Sequence, residues 1–439
     1  MSKLSTSPYK GTRDFYPEDY RLHRYIFGVV RAVLYRFGYE EYMAPLLEPT
    51  DLYRAKSGEE IVNEQTYSFE DRGGRDVTIR PEMTPSLARM VGRRAGQYSH
   101  PLRWFSIPNL YRYERPQRGR LREHYQVNVD LFGSESAYAD IEVLDIARQL
   151  LEEFGASQED FRIHLNDRQL IQAVYTDLFG FNEDQRTRSA KLIDRKDKMD
   201  PTEFRRELRE ICSEKDAGIL ETLLETEEYD AFAEEIRSVT TELPPRVEAR
   251  METMRRLVTS LEELGITNTV FDFSLMRGFD YYTGLVFEVF DTHPDNRRAL
   301  FGGGRYDNLL EIFDKEPTGA IGFGMGDVPL YDFLSIHGLL PTVTAQLDAY
   351  ICPLNPDYVP AAYEYGARLR AEGLQAVVDY SGRKLASQLK QADAKHARYA
   401  VCLGPQELEN GTVTLRTLAT GEEVEHTRED SIEIIRAEP

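Results

Sequence analysis

Cysteine is nearly absent from this chain of 439 residues. The three that occur, Cys212, Cys352 and Cys402, stand far apart with no CxxC spacing, which argues against a disulfide framework and against a structural zinc site. Long apolar runs are missing too. No stretch approaches the roughly 18 apolar residues needed to cross a bilayer, and the opening MSKLSTSPYKGTRDF lacks the apolar centre of a secretory signal. The expectation is a cytoplasmic protein with no membrane partner. Positive charge is the third deficit, since 54 Lys and Arg against 75 Asp and Glu leave a formal charge of -21. A field of that sign repels phosphate at long range. Any nucleotide or nucleic acid must therefore be held by local basic surface, within a Debye length of roughly 8 Å.

Such a patch exists. Arg103 to Gly133, RWFSIPNLYRYERPQRGRLREHYQVNVDLFG, reads as two strand-like runs joined by a loop that carries Arg115, Arg118, Arg120 and Arg122. Arg112 and Glu114 share a face of the first run; Gln126, Asn128 and Asp130 share a face of the second, interleaved with Val127, Val129 and Leu131. Strand side chains alternate with period two, which puts all five polar groups on one side of an antiparallel pair. A polar sheet face is either solvated or the floor of a substrate site. The arginine-laden loop favours the site, because guanidinium groups make forked, charge-assisted bonds to phosphate oxygens.

A chain of this length buries a sizeable core and divides into two or three domains. A helix is predicted from about Pro17 to Phe37, where Leu22, Ile26, Val29, Val30, Val33, Leu34 and Phe37 recur at helical spacing, with Gly38 just past the end. Its stripe is core, and with the extended GYEEYMAPLLEP beside it the pair could also form a dimer surface. Thr78 to Thr84, TIRPEMT, reads as a strand running into a helix, with Thr84 as cap and Pro85 as the first helical residue. Arg80, Glu82 and Thr84 would then share a face, on which the Arg and Glu could form a plain ion pair. From about Asp167 to Leu264 the composition turns charged and helix-favouring, the mark of a helical insertion without chemistry of its own. Strand patterns return in VFDFS and LVFEVF, on either side of MRGFDYYTG. The glycines of FGGGRYD, Phe301 to Asp307, fit a tight strand connection better than a phosphate loop. After a linker near 340–346, the tail from Leu347 alternates strand and helix as a small α/β domain with a mostly parallel sheet.

KGTRDFYPED, RPEMT, YRYERPQRGRLREHYQ, RGFDYYTG and GGGRYDNL, in this order and at this spacing, resemble the signatures of the histidyl-tRNA synthetases, within the class II aminoacyl-tRNA synthetases. RGFDYY is the most specific of them. The resemblance covers the whole chain and implies an α+β fold: a class II antiparallel sheet with flanking helices, a helical insertion, and a C-terminal α/β anticodon-binding-type domain. By number, the catalytic core would fall in 1–166 (motifs 1 and 2) and 266–340 (histidine motif and motif 3), the insertion in 167–265 and the anticodon-binding-like domain in 347–439. A homodimer joined around the first motif is implied as well. So is a two-step reaction, in which L-histidine and ATP with Mg2+ give histidyl-adenylate and pyrophosphate, and the histidyl group then moves to the terminal ribose of tRNA(His).

Under the resemblance Arg112 and Arg277 are the catalytic pair, set against one α-phosphate. Glu82, Thr84 and Gln126, with Met83 among them, hold the α-amino group, while Asp130 and Tyr282, with Tyr281 beside them, address the imidazole. The nucleotide falls to Arg112, Glu114, His124, Arg277 and Arg305. The chemistry suits these residue types. An amino-acid carboxylate is already ionised at neutral pH, so adenylation needs positioning and charge neutralisation more than a general base.

The chain also departs from the family. Asp130 stands where much of the family has Glu, Met83 where Gly is usual, and His124 where Phe usually flanks adenine. In GFGMGDVPL, Pro329 occupies the place of the Arg that class II enzymes lay over adenine and the γ-phosphate, and neither Arg nor Lys occurs from Glu316 through Leu340. Either the nucleotide grip has been rebuilt, or the chain is a silent, histidine-sensing relative like the regulatory partner of ATP phosphoribosyltransferase. The complete histidine-facing set and the tail after Leu347 favour the enzyme.

Overall fold

The computed structural model describes residues 4–55, 65–94, 96–117, 119–275, 281–296, 298–344 and 347–437. Two compact units emerge: residues 1–14 with 26–340, and residues 15–25 with 341–439. Among the described residues no helix is long and apolar enough to cross a membrane.

In the first unit, nine strands among the described residues form the sheet that positions the site. They are β1 (Glu40–Glu41), β2 (Leu102–Ser106), β3 (Asn109–Tyr111), β4 (Glu123–Phe132), β5 (Phe161–Asp167), β6 (Thr269–Phe271), β7 (Leu285–Asp291), β8 (Ala299–Arg305) and β9 (Ala320–Gly326). Their order is β1-β2-β4-β9-β8-β7-β5-β6, with β3 also paired to β4. Only the outer pairs β1–β2 and β5–β6 are parallel. The antiparallel centre lets one face be apolar and the other polar. Along β4 the alternation is clean: Val127, Val129 and Leu131 are core, while Gln126, Asn128 and Asp130 turn to the other side. Helices Ala137–Glu152, Pro245–Glu263 and Asp327–Ile336 pack on this framework.

The helix Pro17–Arg36 buries Ile26, Phe27, Val30, Val33 and Leu34, as its periodicity predicts. It stops at Gly38, whose φ of 76° lets the Gly38 and Tyr39 N–H groups turn back onto the carbonyls of Tyr35 and Leu34. The 78–84 segment differs from expectation. Its strand ends at Ile79, Thr84 is the first residue of helix Thr84–Arg93, and Met83 holds the cap position without a side-chain bond. Outside strand geometry the period-two rule lapses. Arg80 therefore points away from Glu82, donating to the carbonyls of Ala44 (2.8 Å) and Asn109 (3.0 Å).

Helices Arg168–Ala173, Glu183–Ile193, Pro201–Ile211, Glu214–Glu225, Tyr229–Val239 and Pro245–Glu263 occupy the charged stretch between β5 and β6. Side-chain caps from Asn182, Asp200 and Ser213 start three of them. In the second unit, strands Ala376–Val378, Leu347–Pro353, Ala397–Leu403, Thr412–Thr417 and Glu423–Thr427 lie in that order. The first three are mutually parallel and the last two pair antiparallel, so the sheet is mixed rather than mostly parallel. The strand missed from sequence, Glu423–Thr427, is almost wholly exposed and so carries no apolar alternation.

Gly302, Gly303 and Gly304 lie inside β8, which corrects both the expected tight strand connection and the phosphate-loop alternative. They are there because strands approach closely: a Cβ on Gly303 would sit 2.1 Å from the Gly322 carbonyl oxygen. Gly303→Ala is expected to cost about 1–3 kcal/mol through overpacking. Chemical denaturation checks this, and an unchanged midpoint would remove the close-approach account.

Candidate active site

The polar side of β4 faces a glycine track on β9. Asp130 lies opposite Gly322 and Asn128 opposite Gly324. A Cβ on Gly322 would fall 2.5 Å from Asp130 Oδ1, and one on Gly324 would fall 2.7 Å from Gln126 Nε2. The polar side chains therefore lie flat over bare backbone, and the space above them stays open. That space is a small, partly open cleft. Its floor is Gln126, Asn128 and Asp130 over Gly302, Gly322 and Gly324; Glu82 and Thr84 come from the start of helix Thr84–Arg93, and Tyr281, Tyr282 and Tyr306 close the remaining side.

Asp130 is the electrostatic centre. Burial pushes its carboxyl up from the ordinary 3.8 to about 7, only partly offset by the Tyr306 hydroxyl, which donates to Oδ1. Oδ2 is buried without a hydrogen-bond partner among the described residues. A buried acceptor left unmatched is costly and asks for a donor. Burial also pushes the Tyr281, Tyr282 and Tyr306 phenols well above 10, so each keeps its proton and can donate. Tyr281 donates to Glu82 Oε2 at 3.2 Å, and its ring meets those of Tyr282 and Tyr306 at 5.1 and 5.7 Å.

Arg112 follows β3, its Nε fixed on the Pro81 carbonyl at 2.9 Å next to Glu82. It lies near His124 on β4, whose imidazole is driven down to about 3 by burial first and then by Arg112 and Arg13. A neutral ring within reach of two cationic groups can lie against a base without adding charge of its own.

Six of the sequence-derived site residues thus meet in one cleft: Glu82, Thr84, Gln126, Asp130, Tyr281 and Tyr282. Three others are placed elsewhere. Met83 packs with Ala44 and Leu110 in an apolar cluster, because adjacent residues in this turn point in different directions. Glu114 is engaged by Arg120 at 3.2 Å. The Arg305 guanidinium is consumed by Asp140 (2.7 Å) and by the carbonyls of Ser134 and Ser136, a structural clamp rather than a nucleotide contact. Arg122 likewise turns to Tyr113, 4.0 Å from its ring centre, and to the Tyr9 hydroxyl. Arg277 and Arg118 lie outside the described residues. Tyr306 escaped the sequence reading. It lies just past the end of β8, where strand alternation no longer marks it.

Among the described residues no group of three His, Cys, Asp or Glu side chains is placed to hold a metal by itself. A magnesium ion arriving on a triphosphate needs only one or two carboxylates and keeps waters of its own.

A family model described as Histidyl-tRNA synthetase matches residues 11–327, and one described as Anticodon binding domain matches residues 348–438. The histidine--tRNA ligase of Leptospira biflexa is 39% identical over 437 residues, covering 99% of this chain and 98% of that protein. That of Thermococcus kodakarensis is 37% identical over 431 residues, 97% of each. The crystal structure of histidyl-tRNA synthetase from Nostoc sp. PCC 7120 superposes with a TM-score of 0.81 over 100% of both chains at 21% identity, which establishes the shared α+β fold. With its central sheet, its glycine-floored cleft and these relatives along nearly its full length, the chain belongs to the histidyl-tRNA synthetase family.

Proposed function

We propose that the cleft over β4, β9 and β8 is the histidine site of an ATP-dependent histidine--tRNA ligase. The carrying observation is Asp130 Oδ2, a buried carboxylate oxygen unmatched among the described residues. An imidazole N–H supplies the donor it lacks, while Tyr282 offers a phenol within the same cleft. Glu82, Thr84 and Gln126 supply acceptors for an α-ammonium group at the other end. An amino acid without ring nitrogens would leave the buried acid without its donor, a loss worth about 10⁴-fold in discrimination.

In the first step a histidine carboxylate oxygen attacks the α-phosphorus of ATP, and the bond to pyrophosphate breaks. Arg112 is assigned to the α-phosphate beside that carboxylate, with Arg277 as its partner by family resemblance. In the second, a ribose hydroxyl at the 3' end of tRNA(His) attacks the acyl carbon, AMP leaves, and the histidyl ester forms. His124 is assigned to the adenine side. Magnesium is assigned to the ATP phosphates, where it neutralises charge.

The domain division follows the same reading: catalytic core in 1–166 and 266–340, insertion in 167–265, and anticodon binding in 347–439. The tail matching an anticodon-binding domain supports this reading over the silent regulatory relative. The place of action would be the cytoplasm. Exposed Tyr35, Met43, Leu46 and Leu47, close in sequence along the first motif, support a homodimer. Light scattering on the eluting protein is expected to give twice the 50.6 kDa chain mass; a monomer at micromolar concentration would remove that assignment. The test of function is histidine-dependent ATP–pyrophosphate exchange. Exchange with histidine alone among the amino acids is expected, and none at saturating histidine, ATP and magnesium would sink the ligase reading.

A further inference from the structure

Helix Asp327–Ile336, which follows β9, brings no cation to the site: its third residue is Pro329, and no Arg or Lys occurs from Glu316 through Leu340. Its first residue is an acid. Asp327 is 8% exposed and accepts from the Tyr125 backbone N–H at 3.0 Å, one residue past Gly326, which pairs with Gln126 of the cleft. A carboxylate there would repel a polyphosphate unless a cation answered it. Arg13 answers it, from the far end of the sequence, with Nη2 2.6 Å from Asp327 Oδ2.

The placement is built into the backbone. Gly11, two residues earlier, accepts from the N–H groups of Arg122 (2.8 Å) and Glu123 (3.2 Å), which enter β4. It does so at φ 86°, where a Cβ would meet Arg122 Cγ at 2.8 Å. The segment before Arg13 is thereby locked to the strand that carries His124 and the cleft. His124 in turn responds to both Arg112 and Arg13, so the two guanidinium groups stand within electrostatic reach of one imidazole. A guanidinium has five N–H donors in a fork, enough to hold a carboxylate and a phosphate together.

We propose that Arg13, seated on Asp327, binds the triphosphate of ATP beyond the α-phosphate, supplying the cation that the helix after β9 lacks. This rests on the ligase reading above. The test compares wild type, Arg13→Ala and Arg13→Lys by ATP–pyrophosphate exchange, and by calorimetric titration with ATP and with AMP. For Arg13→Ala the KM for ATP should rise about tenfold or more, with the KM for histidine within about twofold. ATP binding should weaken to match while AMP binding stays unchanged, and Arg13→Lys should recover part of the loss. An unchanged KM for ATP, equal weakening of ATP and AMP, or both KM values rising together would overturn the assignment. If Arg13→Ala does not fold, Arg13→Gln replaces it under the same criteria. Wild type without exchange would fail the ligase reading, whereas active wild type with an indifferent Arg13→Ala fails this inference alone.

Discussion

Asp130→Asn is expected to lower kcat/KM for histidine by about 10⁴-fold in pyrophosphate exchange. The substitution keeps shape and volume, yet an amide presents one acceptor where the carboxylate presents two. Oδ1 already takes the Tyr306 hydroxyl, so the change falls on Oδ2, the atom awaiting a ligand donor. The same variant should be more stable than wild type at alkaline pH. The Asp130 carboxyl titrates near 7 when folded and near 3.8 when unfolded, so between those values the folded chain holds a proton that the unfolded chain has released. Unfolding free energy then falls as pH rises through that window, and the penalty is complete above it. A shift of this size corresponds to on the order of 4 kcal/mol. Denaturation at pH 4 and pH 8 should show the variant gaining on wild type by several kcal/mol as pH rises. Parallel pH profiles for the two proteins would mean that Asp130 is not held as described.

The second large effect concerns Arg112. Arg112→Ala should reduce kcat for exchange by about 10²–10³-fold, while the dissociation constant for histidine changes only a few-fold. Its Nε is committed to the Pro81 carbonyl, which fixes the plane of the guanidinium and leaves the two terminal nitrogens to act on charge developing at phosphorus. A group that acts on the transition state lowers kcat rather than ground-state affinity. Arg112→Lys should recover little, because one ammonium cannot hold the carbonyl and meet the phosphate in the same forked geometry. Histidine affinity falling in step with kcat would instead make Arg112 a scaffold for Glu82.

What could be read from the chain followed the range of the underlying physics. Gln126, Asn128 and Asp130 were legible because period two is local and β4 is a long, regular strand. Helix Pro17–Arg36 and its glycine stop were legible for the same reason. Contacts across the sheet were not. Tyr306 reaches Asp130 only because β8 and β4 flank β9, a neighbourhood set by pairings over more than a hundred residues. Arg305, adjacent in sequence, was chosen for its charge, yet Asp140 on helix Ala137–Glu152 lay ready to neutralise it. Met83 sat inside a motif whose neighbours both line the cleft, and a turn without regular period turned its side chain into apolar company. Arg13 looked like part of an N-terminal signature until Asp327 gave it a partner 314 residues away.

Ring nitrogen chemical shifts of ¹⁵N-labelled histidine bound to the protein test the central claim most directly. At pH 8 one imidazole nitrogen should report a proton held in a strong bond to a carboxylate, displaced from its free value, and Asp130→Asn should remove that displacement even at ligand concentrations high enough to restore occupancy. Bound histidine whose two ring nitrogens keep their free-solution shifts, or shifts indifferent to Asp130→Asn, would contradict the assignment of this cleft.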